Sequence, residues 1–108
     1  MDEHNEEELY LRLRENLKPN NEYQIHHHYM HLGTLYEGYI DTIQDDIIYE
    51  LKFVSELEMK HYLQTAVYSI MAKKEKGIVW NTRFNQMYSV KVKDKIAFMD
   101  QVNRTVRK

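Results

Sequence analysis

The chain has 108 residues, 43% of them hydrophobic and 30% charged, which is the length and composition of one globular domain (1–108) with a core of its own. It contains no cysteine, which excludes disulfides, zinc-thiolate sites and cysteine-ligated iron-sulfur clusters. The net charge of -2 hides an asymmetry: residues 1–50 hold 12 Asp/Glu and 3 Lys/Arg and residues 51–108 hold 5 and 12, so the halves carry -9 and +7. A basic half supplies phosphate contacts even when the total is acidic; the plainer outcome is two solvated faces of opposite sign. No apolar run approaches the roughly 18 residues of a membrane span, and Met1-Asp2-Glu3-His4 opens with the wrong charge for a signal peptide. The expectation is a soluble, intracellular protein, cytoplasmic or nuclear, with no membrane partner.

In chain order, residues 3–18 read as a helix, with Leu9, Leu13 and Leu17 on one stripe, Glu6, Glu7 and Glu8 at the dipole-favoured start, and Pro19-Asn20-Asn21 as the stop. Residues 22–33 alternate as a strand, with Tyr23, Ile25, His27 and Tyr29 on one face. Residues 38–52 read as a hairpin turning at Asp45-Asp46. Ser55-Glu56-Leu57-Glu58 has the form of a capping box, so a helix is expected from Ser55 to about Lys74, with Leu63, Ala66, Val67 and Ile70 as its core stripe and Gly77 as its stop. Ile78–Thr82 and Met87–Val92 form a second expected hairpin around residues 83–86. Asp94 is placed to cap a last helix with Ile96, Met99, Val102 and Val106 inward and Arg104, Arg107 and Lys108 outward. This order predicts an α/β (α+β) domain, a mixed central sheet flanked by helices.

The hairpin carries the chemistry. With Asp45 and Asp46 as its two turn residues, Gln44 pairs with Ile47 and Asp41 with Glu50. Like charges directly opposite on a sheet repel, and Lys52 shares the face of Glu50 through the two-residue alternation. Ile40, Ile43, Ile47, Ile48, Leu51 and Phe53 predict a largely buried hairpin, where unpaired charge is expensive. Two resolutions stay open at this level: a hard divalent cation between the acids, or solvent exposure.

Gly38-x-Ile40-Asp41, then Glu50-x-Lys52, then a helix carrying Gln64-x-x-x-Tyr68, resembles the PD-(D/E)XK nuclease superfamily, and the Gln/Tyr helix resembles its RecB and lambda-exonuclease-like branch. The resemblance covers about residues 22–92. Ile40 stands where the superfamily name has proline, and the helical lobes and helicase modules of larger relatives are absent.

The resemblance implies a restriction-endonuclease-like core. It implies that Asp41, Glu50 and the backbone carbonyl of Leu51 hold Mg²⁺ or Mn²⁺, and that Lys52 activates the attacking water. Gln64 and Tyr68, with His61 and Lys60 nearby, would support the site or contact the nucleic-acid backbone. One of His26, His28 and His31, His28 foremost, or Glu8 on the first helix, is the candidate for completing the metal shell; the default for each histidine is an ordinary surface or core role. The implied activity is metal-dependent hydrolysis of DNA to 5′-phosphate ends. RNA cleavage, a Holliday-junction-resolvase-like activity and a silent binding module are the alternatives. A domain this small implies a homo-oligomer or a place in a larger nuclease or helicase assembly. Lys60, Lys73, Lys74, Lys76, Arg83, Lys91 and Lys93 are candidate phosphate contacts, and Tyr62, Trp80 and Phe84 candidate stacking rings, with Trp80 expected in the core.

Overall fold

The computed structural model describes residues 11–18 and 21–106. Among them, five strands form one sheet in the order β1-β2-β3-β4-β5: β1 (Tyr23–His31), β2 (Thr34–Gln44), β3 (Ile47–Lys52), β4 (Lys76–Asn81) and β5 (Gln86–Lys91). Helical residues 11–16 (α1) precede the sheet, α2 (Met59–Met71) joins β3 to β4, and α3 (Lys95–Val106) follows β5. β3 and β4 run parallel while the other neighbours are antiparallel, which gives the mixed sheet of an α+β fold. The parallel pair follows from its connection, since two adjacent parallel strands need a crossover, here α2.

Turn chemistry fixes the registers. Asp45 and Asp46 both take positive φ, 52° and 65°, as a two-residue turn matched to strand twist requires. Thr42 then faces Tyr49 and Gln44 faces Ile47, the expected register. Leu32 (φ 48°) and Gly33 (φ 80°) make a second such turn, so β2 begins at Thr34 rather than at residue 38, and β1 and β2 form one long hairpin. The face of β1 with Ile25, His27 and Tyr29 is the less exposed one, as its alternation predicts, but Tyr23 at the start of that face is exposed.

The core is Ile40, Ile48, Ala66, Ile70, Met71, Val79, Trp80 and Met99, with Leu17 from the end of the first helix. Trp80 is wholly buried as expected, and its Nε1 donates to Asn85 Oδ1 at 3.1 Å. Phe53 is exposed, contrary to the expectation of a buried position, because the chain leaves the sheet at Lys52. Leu63 is also exposed: α2 meets the sheet through the small polar residues Thr65 and Ser69, whose hydroxyls donate to the carbonyls of His61 and Ala66.

Several boundaries differ from expectation for local reasons. α2 begins at Met59, not Ser55, because the amide of Glu58 donates to His61 Nδ1 at 2.9 Å and closes the first turn there. It ends at Met71, and Lys73 (φ 57°), not Gly77, takes the left-handed position after it. Gly77 lies inside β4 instead, where a Cβ would come within 2.7 Å of both Ile48 Cγ1 and Thr65 Cγ2. β4 and β5 are shifted from the expected bounds by the four-residue turn 82–85. Asp94 does cap α3, accepting from the Ala97 amide at 3.0 Å. Ile96 (72% exposed) and Val106 nevertheless face solvent. The helix is anchored instead by Met99, by Asp100 on His31 at 2.7 Å and by Asn103 accepting from Tyr36 at 2.6 Å. The expected first-helix residues 3–10, with Glu6, Glu7, Glu8 and Leu9, together with Pro19, Asn20, Arg107 and Lys108, lie outside the described residues.

Gly77→Ala forces a methyl group between two packed, branched side chains. It is expected to lower stability by about 1–3 kcal/mol, read as a lower urea midpoint with an unchanged slope.

Candidate functional site

The site forms where β2 and β3 part company. Their ladder runs from the turn to Thr42–Tyr49; beyond it, side-chain bonds replace backbone ones. Asp41 Oδ2 accepts the Leu51 amide at 2.8 Å, and the Asp41 amide donates to Glu50 Oε1 at 3.3 Å. The two acids thus sit across from each other, as the turn register requires, each carboxylate engaged with the other residue's stretch of strand.

Glu50 is 2% exposed. Its pKa is raised from 4.5 to about 7, first by burial and then by the Asp41 carboxylate, which the hydrogen bond from the Asp41 amide and the charge of Lys52 only partly offset. Lys52 does not settle the repulsion: its Nζ donates to Gln64 Oε1 at 2.9 Å, and Gln64 Nε2 donates to the Tyr68 hydroxyl at 3.3 Å. Tyr68 lies over Gly38, where an added Cβ would fall 2.5 Å from its hydroxyl oxygen. The glycine is therefore required by the close approach of α2. Gly38, Asp41, Glu50, Leu51, Lys52, Gln64 and Tyr68 form one connected cluster.

The other sequence candidates are placed elsewhere. His61 closes the first turn of α2, and exposed Lys60 lies 3.4 Å from Glu58. His31 is held by Asp100, and His26 lies 3.6 Å from Glu37. His27 is the register partner of Gly38 and so shares its face, whereas strand alternation turns His28 to the opposite one. Glu8 lies outside the described residues. Among the described residues no group of three His, Cys, Asp or Glu side chains is placed to hold a metal ion.

Gln24 belongs to the site and was not anticipated. Its Nε2 donates to Asp41 Oδ1 at 2.9 Å, and it adopts φ 56° within β1, a left-handed conformation that a non-glycine residue holds at a cost. The signal for it was Leu32-Gly33: with those as turn residues, position 24 falls opposite position 41.

The donor set suits a hard cation. Asp41 and Glu50 offer carboxylate oxygens, each with lone pairs beyond those the hydrogen bonds use. Leu51 contributes the carbonyl between Glu50 and Lys52. A carboxyl held out of its usual range by burial, and then by a second carboxylate, is the electrostatic state that a divalent ion relieves.

The sign of the pH effect follows. Without metal, the folded state favours protonated Glu50, so its contribution to stability is complete below pH 4.5 and is lost as pH rises through about 7. Glu50→Gln is expected to match the wild type near pH 4.5 and to exceed it by on the order of 3 kcal/mol above pH 7. Denaturant melts across that range, in the presence of a chelator, measure the difference.

No family model and no curated protein matches the chain. The crystal structure of SSO0001 is similar to it, with a TM-score of 0.63 and 20% sequence identity over 92% of this chain and 57% of that one. At this identity the likeness shows a shared fold alone, and the chain spans little more than half of that protein's length. Among the described residues no helix is long and apolar enough to cross a membrane.

Proposed function

We propose that this chain is a Mg²⁺- or Mn²⁺-dependent DNA nuclease that hydrolyses phosphodiester bonds and leaves 5′-phosphate ends. The observation that carries the reading is the desolvated Glu50 beside Asp41, with the Lys52 amine held alongside by Gln64 and only partly offsetting the two acids. A purely structural cluster would close Lys52 onto the carboxylates; here its amine donates to Gln64.

When bound, the ion neutralises phosphate charge and lowers the pKa of a coordinated water. Asp41, Glu50 and the Leu51 carbonyl would hold it, and Gln24 and the Leu51 amide fix the rotamer of Asp41. Lys52, steadied by Gln64 and Tyr68, orients the attacking water and donates to the phosphate oxygens as charge develops on them. The water oxygen bonds to phosphorus, the bond to the 3′ oxygen breaks, and that oxygen leaves with a proton. The phosphate remains on the 5′ side.

Labelled single-stranded, duplex and branched DNA incubated with Mn²⁺ tests this. The wild type is expected to release 5′-phosphate ends, Glu50→Gln and Asp41→Asn to lose that activity, and Lys52→Ala to lower kcat by about 10²- to 10⁴-fold. Lys52→Ala cutting at the wild-type rate would remove the assigned role, and a wild type that cuts none of these substrates would remove the enzyme. Because the ligands must be deprotonated, the Mn²⁺-induced rise in Tm is expected to be larger at pH 8 than at pH 6 and absent in Glu50→Gln.

A further inference from the structure

The parallel strands β3 and β4 end side by side, and ligands in open sheets of this kind bind beyond such carboxyl ends. The carbonyl of Lys52 accepts from both the amide and the hydroxyl of Thr82, at 2.8 and 2.9 Å. Buried Asn81 clips the next stretch by exchanging two bonds with Val54. Phe53 and Arg83 therefore emerge as neighbours directly after the candidate catalytic lysine and its partner strand.

Arg83 lies against two rings, 5.8 Å from the centroid of Phe53 and 5.2 Å from that of Phe84. The rings are 46% and 50% exposed, so this is an aromatic and cationic surface open to solvent. Its base is rigid, because Arg12 of α1 donates to the carbonyls of Thr82 and Arg83 at 2.7 and 2.9 Å. On its far side Phe84 forms one wall of an open pocket of about 510 Å³. Tyr62 and Tyr88, edge to face at 6.0 Å, form another wall, and Ser55, Glu56 and Gln86 supply hydrogen-bonding groups.

We propose that Phe53, Arg83, Phe84 and the adjoining pocket hold unpaired nucleotides, so that the substrate is single-stranded DNA or a frayed end. Exposed rings flanking a guanidinium offer π-faces and one positive charge, the combination that takes successive bases with the phosphate between them. A duplex keeps its base faces stacked and presents neither. The polar pocket groups match the edge of a base turned inward. Continuity with Lys52 places the strand's path next to the reacting phosphate, and in this respect the inference rests on the nuclease reading.

Fluorescence anisotropy with a labelled oligothymidylate and its duplex, in EDTA, tests the surface apart from catalysis. The wild type is expected to prefer the single strand. Phe53→Ala/Phe84→Ala is expected to weaken single-strand binding by about 10- to 100-fold while leaving duplex binding unchanged, and Arg83→Lys to weaken it less than Arg83→Ala, since it keeps the charge and loses the stacking plane. Equal affinity for both forms, or a double variant that binds like the wild type, overturns the proposal. The rings are half exposed, so an unchanged Tm is expected to accompany the loss. With Mn²⁺, the double variant is expected to raise KM for single strands and retain kcat. Absence of hydrolysis on any DNA, with single-strand binding intact, would defeat the nuclease reading and leave the binding surface standing.

Discussion

The structure depends on burying Glu50 beside Asp41. β3 is the central strand of the described sheet, antiparallel to β2 and parallel to β4, and Glu50 sits on it opposite Val79. Ile48, on the same strand, packs against the close approach of Gly77 and Thr65. A charged group in such a position is costly, and the fold does not evade the cost by pairing. It lets β2 and β3 diverge so that Glu50 accepts from the Asp41 amide and Asp41 from the Leu51 amide. The end of the β2–β3 ladder at Thr42–Tyr49 is thus where the candidate site forms.

The helix α2 then has two tasks that explain its unusual face. It covers the sheet with Thr65, Ala66, Ser69 and Ile70, and it carries Gln64 and Tyr68 to Lys52 and Gly38. Large apolar residues along the whole stripe would hold the helix farther from β4. Small residues on the helix and glycines on the strands bring it close enough for Gln64 to reach the lysine, and Leu63 is left outside as a consequence.

Much of this was legible from residue order. Asp45-Asp46 sets the register that puts Asp41 against Glu50, Asp94 caps α3, and Trp80 falls in the core. What escaped was governed by partners distant in sequence. Leu32-Gly33 lacks the usual Asn-Gly form, so the first hairpin and, through it, Gln24 were missed. Ser55 has the residue type of a cap, yet Glu58 and His61 win because the chain from Lys52 to Val54 is still clipped to the end of β4. The apolar periodicity of α3 misplaces Ile96 and Val106 because polar bonds to His31 and Tyr36 set the rotation of that helix.

The charge asymmetry along the chain shows the same limit of one-dimensional reading. Among the described residues the topology sets one basic residue of the second half against an acid of the first. Lys74 reaches Asp46 at 2.6 Å across the foot of the β2–β3 turn, while Lys91 meets Glu75 at 3.5 Å within its own half. Exposed pairs of this kind contribute little to stability, but they lower the field available for non-specific attraction to a polyanion. The proposed recognition of nucleic acid by this surface then relies less on massed lysines than on placement. Arg83, whose guanidinium lies over rings, keeps its charge at the end of the parallel strands, one step beyond the lysine of the site. In the proposed reading, a molecule with little net charge directs one strand of DNA toward one pair of carboxylates in this way.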